Sequence, residues 1–154
     1  MSETVCWRLC ATHRADDAFS GEGAARRGGR WNLRGTRVVY CSASRSLAAL
    51  EILANVDARH RLIGLAWTCV SALVPDDAIE RPAKFPSTWR QFPHGPETQA
   101  LGSEWVRALR SVALRVPSAV VPGEFNYLLN PAQPDFKHVK IGTAESFSFD
   151  PRLA

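Results

Sequence analysis

Long apolar runs are missing from this chain of 154 residues. The longest apolar stretch, LIGLAWTCVSALV at 62–74, carries threonine and serine and is far shorter than a membrane span, so no membrane association is expected. The opening MSETVCWRLC lacks a basic start followed by an apolar run, and a cytoplasmic location without a secretory leader is expected. Cysteine is scarce as well. Cys6, Cys10, Cys41 and Cys69 form neither a CxxC pair nor a disulfide framework, and the histidines at 13, 60, 94 and 138 are scattered singly. Nothing there reads as a zinc site; the thiols read as small reduced hydrophobes in the interior, and no metal is expected.

The familiar nucleotide signatures are missing too. GEGAARRGG places Arg26 where a Rossmann fingerprint needs its third glycine, and no helical pattern is evident after it. No Gly-Lys-Ser/Thr occurs, which excludes a P-loop, and no GxSxG elbow surrounds Ser118, which argues against serine hydrolysis.

What is present suits one globular domain over 1–154: 45% hydrophobic and 22% charged residues, enough for a real core. The net charge of +4 permits an anionic ligand without requiring one. Its basic residues are dispersed apart from a cluster between Arg26 and Arg37, which favours a phosphate-bearing small molecule over nucleic acid.

VCWRLC (5–10) reads as an opening strand, followed by a long polar, glycine-rich loop to residue 30. RVVYCSA (37–43) reads as a strand and SRSLAALEILANVD (44–57) as a helix with Ser44 as its N-cap. A strand region at 62–74 leads to a loop from Arg81 to Pro96 holding four prolines. SEWVRALRS (103–111) looks helical, with Trp105 and Leu109 four apart. Strands at 112–121, interrupted at Pro117, at 126–131, 138–141 and 146–150 complete the pattern. Strands dominate and do not alternate regularly with helices, so the expected class is α+β with mainly antiparallel sheet.

Within this pattern a few residues carry chemistry. Arg30 follows two glycines in GGRWN, so its guanidinium could reach a ligand close to the backbone; phosphate clamp and surface charge are both open. Its neighbour Trp31 reads as an anchor beneath the loop. At about 100° per residue, Glu51 lies roughly 40° from Leu47 and roughly 60° from Ala54, within or at the edge of the apolar stripe. Carboxylates in such positions are paired or functional. Tyr40 shares a strand face with Val38 and either packs in the core or lines a cleft. Arg8 shares a face with Cys6 and Cys10, opposite Trp7 and Leu9.

Taken together and in order, Arg8, SGEGAARRGGRWNLRG, VVYCSASRSLAALE, SEW, VPSAVVPGEFNYLLNP, DF and FSFDPRL resemble the RES domain, a family named for an arginine, a glutamate and a serine. The resemblance covers nearly the whole chain. It implies a fold similar to ADP-ribosyltransferases, with a split, mainly antiparallel sheet and a few flanking helices. It implies a toxin of a type II toxin–antitoxin pair, partnered by an antitoxin with an Xre-like helix-turn-helix domain that would itself contact DNA. The implied activity is NAD⁺ consumption by phosphorolysis, hydrolysis or transfer of ADP-ribose to a protein, with NAD⁺ as substrate, phosphate as possible co-substrate and no resident cofactor. Matched motif by motif, the arginine is Arg30, the glutamate Glu51 and the serine Ser118. Arg8 and Tyr40 fall on further catalytic and NAD-pocket positions, with Gly29, Trp31 and Asn32 beside Arg30 in the binding set. Leu9 departs from the pattern, standing where some members carry an aromatic. A non-enzymatic antitoxin-binding module is the alternative of another class.

Overall fold

The computed structural model describes residues 2–153. Its frame is a single eight-stranded sheet. The strands are β1 (Glu3–Ala11), β2 (Val39–Ser42), β3 (Trp67–Pro75), β4 (Ile79–Glu80), β5 (Ala113–Pro117), β6 (Phe125–Leu129), β7 (Lys140–Ile141) and β8 (Glu145–Phe147). They follow the order β4-β5-β6-β2-β1-β3-β7, with β8 also paired to β3. Every pairing is antiparallel except β4 with β5.

The join between β1 and β2 divides this sheet. Nine residues of β1 pair in register with β3, whereas only Trp7 pairs with β2, opposite Ser42. Two half-sheets therefore meet at the centre through one residue pair, in keeping with the α+β, split-sheet expectation.

Among the described residues four α-helices accompany the sheet: α1 (Glu22–Arg27), α2 (Arg45–Asn55), α3 (His60–Ile63) and α4 (Pro96–Ala108). Ser44 caps α2, its hydroxyl accepting the Leu47 N–H at 3.1 Å. Helix α2 packs on β1 through Ala48, with Ala49, Ile52 and Leu53, against Leu9 and Trp7. The opposite face of the strands buries Cys6, Val39, Cys41, Ala72 and Leu129. All four cysteines are free and buried.

Several boundaries differ from the sequence reading. The stretch 11–30 is no continuous loop: a 3₁₀ turn (Thr12–Asp17) and α1 occupy most of it. Gly21, at φ 78°, lets the chain turn into α1, a conformation that hides the helix start from a search for Ser/Asp caps. The strand expected at 62–74 begins only at Trp67, because His60–Ile63 closes a short helix first. Helix α4 begins seven residues before the expected start, with Pro96 in its first turn, where a missing N–H costs nothing. It also stops earlier. Leu109 sits beyond its end at φ 57° and faces solvent, so it does not share Trp105's buried face. Pro117 ends β5 outright, and the chain re-enters the sheet at Phe125.

Candidate active site

The GGRWN segment is a tight antiparallel turn. Gly29 and Asn32 exchange backbone hydrogen bonds, Gly29 N–H to Asn32 C=O at 3.0 Å and the reverse at 3.4 Å. Arg30 and Trp31 therefore occupy the tip and diverge. Trp31 turns inward to join Val38, Trp105, Leu114, Val116 and Leu128. Asn32, with no exposure at all, is spent entirely inside: its amide nitrogen donates to the carbonyls of Ala24, Leu33 and Thr36, and its oxygen accepts from the Tyr40 hydroxyl at 2.6 Å. Trp31 and Asn32 thus hold the turn from behind, and no side-chain donor of Asn32 is left for a ligand.

Helix α4 clamps the same turn from outside. Gln99, Gly102 and Ser103 lie on one helical face by their spacing of three and four. The Gln99 amide donates to Gly29 C=O, and the Ser103 hydroxyl accepts the Leu33 N–H. Gly102 rides against the Trp31 carbonyl, where a methyl would come within 1.8 Å of the oxygen. Gly29 is small for a reason of the fold: a side chain there would meet the Tyr40 hydroxyl at 2.7 Å.

Arg30 reaches across to the proline-rich segment. Its Nη1 donates to Trp89 C=O at 2.9 Å and to Gln91 C=O at 2.7 Å. Burial pushes the Arg30 guanidinium down from its ordinary range, while Glu51 and Tyr40 pull it back up. The segment is tied to the core by Phe85 and Trp89 as well. Near it, His94 is held below the ordinary histidine range by burial and by the Arg30 charge.

Glu51 projects from the edge of α2, half-buried, while Leu50 and Ala54 on either side of it are exposed. The buried stripe is therefore narrower than the sequence reading had it, centred on Leu47 and Ala48. Two donors converge on one Glu51 oxygen, Oε2: the Ser118 hydroxyl at 2.7 Å and the Asn126 amide at 2.7 Å. Ser118, 1% exposed just past the end of β5, accepts the N–H groups of Val120 and Val121 at the same time. No side-chain hydrogen bond among the described residues engages Glu51 Oε1.

An arginine, a glutamate and a serine so disposed can be set beside known proteins. The RES domain model matches residues 5–150. The chain belongs to the RES domain family. It is 37% identical to the Prs ADP-ribosylating toxin of Sphingobium sp. (strain YBL2), over 97% of this chain and 96% of that one. It is 33% identical to Toxin Res of Yersinia enterocolitica, covering 97% and 99% of the two chains. A crystal structure of the M. tuberculosis MbcT–MbcA toxin–antitoxin complex matches its fold with a TM-score of 0.78, at 20% identity, over 96% of this chain and 85% of that one. The expected α+β class with a mainly antiparallel sheet stands.

In this RES domain the glutamate and the serine touch directly, and the arginine lies close enough for its charge to feel Glu51. Tyr40 links the arginine's turn to the sheet. Its hydroxyl gives its proton to Asn32 and accepts the Trp31 N–H, and burial holds it well above the ordinary phenol range. Arg8 stands apart from Glu51. The register puts its side chain on the Cys6 face, whereas Trp7, Ser42 and Asn126 share the other. Its guanidinium donates to Ala18 C=O at 3.2 Å and Tyr40 C=O at 3.4 Å, bracing the split between β1 and β2.

Sequence reasoning missed Asn126, Ser42, Gln99 and the carbonyls of Trp89 and Gln91. Asn126 carried one signal, an asparagine inside the strand FNYLL, where that residue type is depleted.

Proposed function

We propose that this RES domain is the toxin of a toxin–antitoxin pair and acts by cleaving the nicotinamide–ribose bond of NAD⁺. The observation that carries the reading is the Glu51 carboxylate, fixed through Oε2 by Ser118 and Asn126 with Oε1 left for a ligand, in the electrostatic reach of Arg30. Cleavage of that bond passes through a transition state resembling an oxocarbenium ion, as in glycoside cleavage. Nicotinamide leaves neutral, so no strong general acid is needed. A preorganised carboxylate supplies the missing element, holding a ribose hydroxyl through Oε1 and countering the positive charge that develops. Arg30 presents donors for a phosphate oxygen, exchanging its bonds to Trp89 and Gln91 for bonds to the ligand. Ser118 does not attack. Its proton is committed to Glu51 and its oxygen to two backbone N–H groups, so it orients the carboxylate.

The acceptor that takes the ADP-ribose is water or inorganic phosphate in this reading. Transfer to a protein is a second reading, favoured by the name of the Sphingobium relative, an ADP-ribosylating toxin. An antitoxin partner is supported by the toxin–antitoxin complex that shares the fold, and an Xre-type helix-turn-helix antitoxin is the partner we propose.

The test is incubation of purified protein with NAD⁺, with and without phosphate, and chromatography of the products. Release of nicotinamide by the wild type and its loss in Glu51→Gln are expected, with the co-product identifying water or phosphate as acceptor. Radiolabel from NAD⁺ on one protein, persisting against unlabelled ADP-ribose, would select the transferase reading. NAD⁺ left equally intact by wild type and Glu51→Gln, free of antitoxin, would reject both.

A further inference from the structure

Asn126 is paired on both sides of β6, opposite Ser42 on β2 and Val116 on β5. Strands disfavour asparagine, so its presence at a paired position calls for a reason in its side chain. That side chain is fixed at both ends. Its Nδ2 donates to Glu51 Oε2 at 2.7 Å, and its Oδ1 accepts the Ser42 hydroxyl at 2.7 Å. Ser42 is 5% exposed and shares the strand face on which Asn126 and Tyr40 lie.

The two bonds leave the amide one orientation. A carboxylate only accepts, so the NH₂ group must face Glu51, and the amide oxygen must then take the Ser42 proton. Ser118, just past the end of the neighbouring β5, brings a second donor to the same carboxylate oxygen. With Oε2 held by donors from β6 and from the turn after β5, the carboxyl plane is set and Oε1 points in a fixed direction. Glu51 by itself is half-buried at the edge of α2 with rotatable side-chain bonds; the sheet, not the helix, aims it.

We propose that Asn126, oriented by Ser42, is a positioning residue for Glu51, aligning Oε1 with the ribose in the reaction. The proposal deepens the NAD⁺-cleavage reading and rests on it. A residue of this kind acts on the chemical step, because the aligned charge counts most where positive charge develops. Its removal should therefore lower kcat and leave KM nearly unchanged.

The test is steady-state NAD⁺ cleavage by Asn126→Ala, Asn126→Asp and Ser42→Ala, with melting temperatures alongside. Asn126→Ala should lower kcat by about 10- to 100-fold, the size of loss that follows removal of a residue supporting a reactive group, with KM within about threefold. Ser42→Ala should give a smaller loss in the same direction, and it keeps the proposal testable if Asn126→Ala fails to fold. Asn126→Asp supplies a signature that a merely structural role would not. Two carboxyls within hydrogen-bond distance share a proton, which restores the donor to Glu51 in acid; above the pair's upper apparent pKa both ionise and repel. Arg30 is the charged group coupled to this carboxylate, which holds the guanidinium up against the effect of burial. Activity of Asn126→Asp should thus fall as pH rises across a range where the wild type holds steady. Wild-type kcat in Asn126→Ala, a loss confined to KM, or a wild-type pH profile in Asn126→Asp overturns the positioning role while NAD⁺ cleavage by the wild type and its loss in Glu51→Gln still stand. A wild type that leaves NAD⁺ intact overturns both.

Discussion

The Ser118 hydroxyl lies 2.7 Å from Glu51 Oε2, although 67 residues separate the two in the chain. Because Ser118 also accepts the N–H groups of Val120 and Val121, it is a rigid donor built into a turn. Ser118→Ala should lower kcat for NAD⁺ cleavage by about 10- to 100-fold without abolishing it, as for a supporting residue. It should also cost about 1–3 kcal/mol of stability, since two backbone donors lose their acceptor. Kinetics paired with denaturant unfolding checks both, and complete inactivation in a fully folded variant would mark the serine as a reactant instead.

Glu51→Gln keeps the size and polarity of the side chain and removes the charge. The expected outcome is a loss of roughly 100-fold or more in kcat, the scale of removing one preorganised electrostatic contact. The melting temperature should move little, because the amide oxygen can still accept from Ser118 and Asn126. Product chromatography and thermal unfolding decide it.

Arg30 holds the proline-rich segment through two carbonyls, and that segment's own turn bonds run from Trp89 N–H to Pro86 C=O and from Gln91 N–H to Thr88 C=O. Arg30→Ala should speed amide exchange at Trp89 and Gln91 by about 10- to 100-fold, the equivalent of losing charge-assisted hydrogen bonds. Exchange in the strands of the sheet should not change. Lysine at this position should restore little, because a single ammonium lacks the planar fork.

His94 predicts a pH effect of defined sign. Burial and the Arg30 charge lower its pKa in the folded protein, so the folded state binds its proton less readily than the unfolded state. The penalty is absent above about pH 6.5, the unfolded value, and grows as pH falls from there through the folded value. His94→Gln should therefore melt higher relative to wild type at pH 5.5 than at pH 8. An identical difference at both pH values would contradict this.

Gly102→Ala tests the clamp on the arginine's turn. The added methyl would stand 1.8 Å from the Trp31 carbonyl oxygen, and that atom belongs to backbone fixed by its neighbours. Overpacking of this kind costs about 1–3 kcal/mol and occasionally more. A clear fall in melting temperature, with NAD⁺ cleavage lost in step as the turn moves, is the expected result.

Local chemistry made much of this legible in one dimension. The Ser44 cap, the strands around Val39 and β3, and the position of Glu51 beside an apolar stripe follow from side-chain periodicity and hydrogen-bonding type, which neighbouring residues settle among themselves. The order of the motifs carried the family. Local chemistry failed where the backbone departs from common signals: the glycine start of α1, the proline start of α4 and the solvent-facing Leu109 at its end. Only tertiary structure decided what each site residue does. It turned Trp31 and Asn32 inward, tied Arg30 to two distant carbonyls, set Arg8 at the split of the sheet and delivered Ser118 and Asn126 to one oxygen of Glu51. The partners of Arg30 and Glu51 lie 59 to 75 residues away, and a hydrogen bond depends on distances of tenths of an ångström that no spacing along the chain encodes.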